Sequence, residues 1–163
     1  MNKIIIINGK GGSGKDTFIQ LCQKYMDNII NISSVDYVKE VAQFCGWNGE
    51  KDLASRKFLS DLKDILTIWR DIPYNQMIEQ VGIYENKVIF IHVREPKEIE
   101  RLKVALNANT LLIKNDNIVS EFGNHADDMV ENYEYNYVIT NNGTLQDLEK
   151  SAKIFVDFIS CVA

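Results

Sequence analysis

The 163-residue chain is 45% apolar and 25% charged with a net charge of −5, a composition that fits one globular domain with a real core. That acidic balance argues against broad nucleic-acid binding, so any anion site has to be built locally. No run approaches membrane-span length, and the four isoleucines before the glycines are too few for a signal-peptide core; Cys22, Cys45 and Cys161, odd in number and without a CxxC pair, signal neither a disulfide framework nor zinc and point to a reducing cytoplasm.

Ile4-Ile5-Ile6-Ile7 is a β-branched run ended by Asn8-Gly9, the pattern of a strand buried on both faces inside a parallel sheet. A helix follows from Lys15 to Tyr25, with Phe18, Ile19, Leu21 and Cys22 at helical spacing, and then a short strand from Asn28 to Ser33. The next stretch reads as helical: Val35 to Phe44, Leu53 to Trp69, and Asn75 to Tyr84 after Pro73. Val88 to Ile91 is a third strand, Pro96 opens a helix through Ala105, Thr110 to Ile113 and Tyr137 to Ile139 are strands, and Leu145 to Ile159 is an amphipathic helix. Strands alternating with helices predict a parallel α/β sheet with right-handed crossovers, a single domain over 1–163. Within it the helical region at about 35–85 is where an acceptor-binding part belongs, and the polar run at about 114–128 reads as a lid-like loop.

The run Gly9-Lys10-Gly11-Gly12-Ser13-Gly14-Lys15-Asp16-Thr17 carries the chemistry. Glycines allow positive φ and close backbone approach, so successive amides point at phosphate oxygens while the helix N-terminus adds a favourable dipole. Lys15 would then meet the β- and γ-phosphates of ATP. A strand before Gly9 and a helix after Gly14 are the context a P-loop requires. The position after Lys15 ordinarily carries the hydroxyl that holds magnesium; here it is Asp16, with the hydroxyl moved to Thr17, and both are candidate metal-side residues.

The same residues also spell Gly9-x-Gly11-x-x-Gly14 with Asp36 22 positions beyond Gly14, a formal dinucleotide-binding fingerprint. Such a site gains nothing from Lys15, and the chain is short for a dehydrogenase with its own substrate domain. Lys10-Gly11-Gly12-x-Gly14-Lys15 also resembles the loop of partition-type ATPases, but those chains are longer and their switch segments are not evident here.

Four stretches together resemble the phage deoxynucleoside monophosphate kinases and animal-type phosphomevalonate kinases, within the nucleoside monophosphate kinase class: Gly14-Lys15-Asp16-Thr17, Ser34 to Glu40, His92 to Ile99, and Tyr137 to Leu145. The resemblance implies a P-loop NTPase fold, a five-stranded parallel sheet of order 2-3-1-4-5 between helices, with ATP and Mg2+ as cofactors. It further implies that Asp36 and Lys39 lie near the transferred phosphate, that Arg94 is an acceptor-side arginine, and that Asn142 and Gly143 belong to the loop passing the adenine.

Transfer to a phosphate acceptor asks for positioning and charge neutralisation rather than a strong base. Arginine suits that work because its planar fork grips phosphate with two bonds. The chain's arginines are Arg56, Arg70, Arg94 and Arg101. Arg94 follows a buried strand end, the edge where open α/β sheets bind ligands. Arg56 and Arg70 are 14 apart, close to four helical turns. Arg101, among Glu98 and Glu100, reads as a surface ion-pair residue. Asp36 has two readings: it positions magnesium or the acceptor, or it caps the helix after Ser33-Ser34. His92 stands where many P-loop proteins carry a Walker B aspartate, and its apolar strand favours a hydrogen-bonded core histidine over a ligand. Tyr37 and Trp47 read as core over base-stacking residues, and His125 as a loop residue. Lys114 is the one basic residue of the lid-like loop.

These readings converge on a kinase for a small phosphorylated acceptor, a nucleoside or deoxynucleoside monophosphate, with phosphomevalonate or dephospho-coenzyme A as other acceptors. The alternative class is a nucleotide-binding regulatory module with little transfer activity. No nucleic-acid or membrane partner is expected, and the oligomeric state is left open.

Overall fold

Ile4 to Ile7, each at most 8% exposed, form the middle of β1 (Lys3–Asn8), the central strand of the sheet. The computed structural model describes residues 1–118 and 130–161, so His125 and the lid-like loop from 119 onward lie outside the described residues. β1, β2 (Ile29–Ser33), β3 (Val88–His92), β4 (Asn109–Lys114) and β5 (Tyr137–Thr140) form one sheet in the order β2-β3-β1-β4-β5. This is the expected order. β1 pairs in parallel with β3 and β4, and β4 with β5, so the C-terminal ends of these strands reach the same edge.

Two compact units make up the chain, Met1–Asn31 with Asn86–Ala163, and Ile32–Glu85. In the first, side chains alternate across the sheet. Ile5, Ile7, Phe90, Leu111 and Ile113 meet α1 (Lys15–Gln23) and α6 (Leu145–Cys161) in one buried cluster. Phe155 of α6 is its hub, edge-on to Phe18 at 5.7 Å and to Tyr137 at 5.7 Å, geometries the ring quadrupole favours. Ile4 and Ile6 point to the other face, where α5 (Pro96–Leu106) packs on β1 and β4 through the fully buried Ile99 and Leu102. Pro96 opens α5, and Asn107 ends it in the left-handed region with φ 49°, a conformation asparagine tolerates.

The second unit holds α2 (Asp36–Phe44), α3 (Leu53–Arg70) and α4 (Ile72–Gly82). Asp52 caps α3 by accepting from the Ser55 amide at 2.6 Å, and that bond holds its carboxyl below the usual carboxylate range. α3 packs with α2 and α4 yet has no buried residue; Leu53, Ile65, Ile68 and Trp69 are exposed. α4 starts at Ile72, three residues before the expected Asn75, because Pro73 sits inside the first turn, where its fixed φ fits and its missing N–H costs nothing. No described helix is long and apolar enough to cross a membrane.

Candidate active site

The glycine loop leaves the central strand at its C-terminal end and runs into α1. Gly9 has φ 151°, and a Cβ there would lie 2.4 Å from the Ile113 carbonyl oxygen and 2.6 Å from Ser13 Oγ. Gly14 caps α1 at φ 95°, where a Cβ would meet Asn141 Nδ2 at 2.6 Å. Gly9 therefore has no room for a side chain, and at Gly14 the positive φ makes any side chain strained. The Ser13 amide donates to Lys10 O at 3.1 Å, and Lys15 reaches back to donate to Gly9 O at 2.6 Å and Lys10 O at 2.9 Å, which closes the loop into a ring around its own ammonium. Ser13 Oγ is buried and has no hydrogen-bond partner among the described residues. A buried hydroxyl costs free energy until it finds an acceptor, and inside a ring of amides beside a lysine the acceptor it suits is an anion.

The loop is held from outside by polar groups. Asn8 is 1% exposed. Its Oδ1 accepts from the Gly9 amide at 2.8 Å, and its Nδ2 donates to Tyr135 Oη at 2.9 Å and to Arg94 O at 3.3 Å. Burial pushes the Tyr135 hydroxyl up to about 12, so it stays a neutral donor and serves Val130 O at 2.9 Å. Asn141 Nδ2 donates to Ser13 O at 2.9 Å, which ties the end of β5 to the loop.

Charge is concentrated around it. Glu131 lies 2.8 Å from Lys10 Nζ and 3.9 Å from Lys114 Nζ, and Lys114 is 3.1 Å from Asp116. The hydrogen bond to Asp116, with the charges of Asp116 and Glu131, raises the Lys114 ammonium above its ordinary value. Asp116 is held below the carboxylate range, chiefly by the hydrogen bond from Asn142 Nδ2 at 2.8 Å and next by Lys114. On the first turn of α1, Asp16 is 78% exposed, and its Oδ1 is 3.5 Å from His92 Nε2 at the end of β3. The Asp16 carboxylate and the Thr17 hydroxyl are hard oxygen donors of the type magnesium takes. Among the described residues no group of three His, Cys, Asp or Glu side chains could hold a metal alone, so such an ion would need oxygens from its nucleotide.

The residues predicted for the site thus fall into two groups. Gly9 to Thr17, Arg94, Asn142 and Gly143 belong to the first unit, where Arg94 is exposed on the turn after β3. Asp36, Lys39, Arg56 and Arg70 belong to the second. There Asp36 is the first residue of α2, accepts from the Ser33 amide at 2.7 Å, and lies 3.5 Å from Lys39. Arg56 and Arg70 are both exposed on α3, and the Arg70 guanidinium lies 5.4 Å from the Trp69 ring centre. Trp47 donates to Glu50 O at 3.1 Å.

Sequence reading did not single out Asn8, Glu131, Tyr135 or Asn141. A carboxamide at the tip of an apolar strand marks Asn8, and the Asn141-Asn142 doublet before Gly143 marks that loop; Glu131 has no local signal. A cavity of about 460 Å³ lined by Glu100, Lys103, Tyr133, Glu134, Tyr135 and Asn136 contains no glycine-loop residue. The glycine loop is thus no part of that cavity, and its form is set by the positive-φ glycines and the hydrogen bonds described above.

No protein-family model matches this chain, and no curated protein is similar to it in sequence. Solved structures are similar over nearly its whole length. A dephospho-CoA kinase from Campylobacter jejuni is 14% identical with a TM-score of 0.58 and 97% of each chain covered. A shikimate kinase from Bacteroides thetaiotaomicron is 15% identical, TM-score 0.53, covering 97% of this chain and 98% of that one. The protein TT1252 from Thermus thermophilus is 16% identical, TM-score 0.54, with 97% and 98% covered. At such identities the likeness is one of fold: this chain shares with these structures a five-stranded parallel sheet of order β2-β3-β1-β4-β5 flanked by helices.

Proposed function

We propose that this chain transfers the γ-phosphoryl group of ATP to a small phosphorylated acceptor, a nucleoside or deoxynucleoside monophosphate. The observation that carries the reading is the closed glycine ring: a buried Ser13 hydroxyl with no hydrogen-bond partner among the described residues, and the Lys15 ammonium, inside a loop that opens α1 at Gly14. The amides from Gly11 to Lys15 and the positive end of α1 bind the β-phosphate. Lys15 exchanges its two carbonyl partners for phosphate oxygens and neutralises charge as it shifts to the leaving ADP. An acceptor phosphate oxygen, already anionic near neutral pH, attacks the γ-phosphorus in line while the bond to ADP breaks. Magnesium, when bound, neutralises phosphate oxygens, and Asp16 and Thr17 are the residues that would hold it. Arg94 orients the acceptor phosphate; Arg56, Arg70, Lys39 and Asp36 serve the acceptor side, and Asn142 and Gly143 the adenine side.

A coupled assay of ADP release tests this over a panel of nucleoside monophosphates, with phosphomevalonate and dephospho-coenzyme A included. Acceptor-dependent turnover that vanishes in Lys15→Ala is expected. Tight ATP binding with no turnover on any acceptor would replace the kinase reading with that of a nucleotide-binding regulatory module.

A further inference from the structure

Two positions beside the loop carry the reverse of the usual P-loop chemistry. The residue after the loop lysine ordinarily supplies a hydroxyl to the metal, and the neighbouring strand a carboxylate. Here the carboxylate is Asp16, on the helix, and the end of the neighbouring strand carries His92. The sheet brings them together: His92 pairs in register with Ile7, two residues before the loop begins, and its Nε2 stands 3.5 Å from Asp16 Oδ1.

We propose that Asp16 and His92 hold the divalent cation that accompanies the nucleotide, as a mixed carboxylate and imidazole pair that favours first-row transition ions such as Mn2+ and Co2+ over Mg2+. This rests on the phosphate-site reading above. Neighbouring donors on an octahedral ion with bonds of about 2.1 Å lie about 3 Å apart. The observed 3.5 Å closes to that by a small turn of Asp16, whose side chain is 78% exposed. His92 is 18% exposed at the strand end and its Nε2 is buried, so the turn of Asp16 is also what opens that nitrogen to an ion. An imidazole nitrogen raises affinity for transition ions, whereas magnesium gains little from leaving an all-oxygen shell. The nucleotide's phosphate oxygens, Thr17 and water complete the coordination.

Pulsed electron paramagnetic resonance of Mn2+ bound with a non-hydrolysable ATP analogue tests the pair, on protein labelled with 15N only in histidine. The wild type is expected to show coupling to one directly bound 15N nucleus, lost in His92→Asn and kept in His125→Asn. Calorimetric titration of Co2+ and Mg2+ into the protein–analogue complex gives a second measure. In His92→Asp the ratio of Co2+ to Mg2+ affinity should fall, because Co2+ gains more than Mg2+ from an imidazole nitrogen. Analogue binding with no 15N coupling in the wild type, or an unchanged affinity ratio in His92→Asp, overturns the pair and leaves the phosphate-site reading intact. Failure of the analogue to bind with any metal or with none overturns that reading and the pair together.

Discussion

Asn8 does three jobs with one buried carboxamide. It ends β1, accepts from the first amide of the glycine loop, and joins that loop to Tyr135 and to the backbone of Arg94. Asn8→Ala leaves the buried Gly9 amide without its acceptor, while the Tyr135 hydroxyl keeps Val130 O, a loss of about 1–3 kcal/mol by the cost of an unpaired buried polar group. Chemical denaturation should show that loss, and nucleotide titration should show weaker binding, since the loop entry is no longer held. Arg94 belongs to the opposite class of residue, exposed and engaged through its backbone alone among the described residues. Its guanidinium contributes little to folding, so Arg94→Ala should leave the melting temperature within a degree or two. On the acceptor-site assignment it lowers kcat/KM for the acceptor at least tenfold, about 1.4 kcal/mol of transition-state binding. ATP affinity, measured by titration, should not change. An unaltered kcat/KM removes Arg94 from the acceptor site.

At the scale of elements, the N-terminus of α6 shows how local chemistry fixes a helix start. The Thr144 amide and hydroxyl donate to Asp147 Oδ2 at 3.0 and 2.7 Å, and the Asp147 amide returns a bond to Thr144 Oγ1 at 3.3 Å, a reciprocal cap set directly after Asn142-Gly143. The hydrogen bonds from Thr144 hold the Asp147 carboxyl below its ordinary value. A carboxylate with a lowered folded pKa adds stability that is complete above about pH 4 and is lost as pH falls through the folded value. Melting temperatures of wild type and Asp147→Asn should therefore differ at pH 7 and converge towards pH 3. Asp52 and Asp116 are lowered in the same direction, so the variant keeps part of its acid sensitivity. Elements of this kind were legible in the chain because their signals are contiguous: a β-branched run, then glycines, then an amphipathic helix. Pro73 was the exception, since the same residue marks either a boundary or a first turn. The partners of the glycine loop were not legible for a different reason. Asn8 and Tyr135 are 127 positions apart, and Asp16 meets His92 only through the pairing of β1 with β3. Such contacts depend on strand order and register, which local pattern does not encode.

For the molecule as a whole, the helices differ in how they are anchored. α1 and α6 bury Phe18, Ile19, Leu148, Phe155 and Val156, and α2 and α4 bury Val38, Ala42, Met77 and Val81, whereas the side chains of α3 are half-buried or exposed. Local opening free energy follows buried apolar contact, so amides of α3 should exchange with solvent well before those of α1 and α6. Hydrogen exchange followed by mass spectrometry reads this directly in the ligand-free protein. Each ligand then carries its own expectation, because a group that binds only the folded form stabilises what it touches by an amount set by its saturation, about 2.7 kcal/mol at a hundredfold excess over Kd. A non-hydrolysable ATP analogue should slow exchange from residue 9 to residue 17 and leave α3 unchanged. Adding a nucleoside monophosphate at saturation should slow exchange in α3 around Arg56 and Arg70. Protection of the loop by ATP without any acceptor-dependent change in α3 would take both arginines out of the acceptor site and leave Arg94 as the remaining candidate to grip the second phosphate.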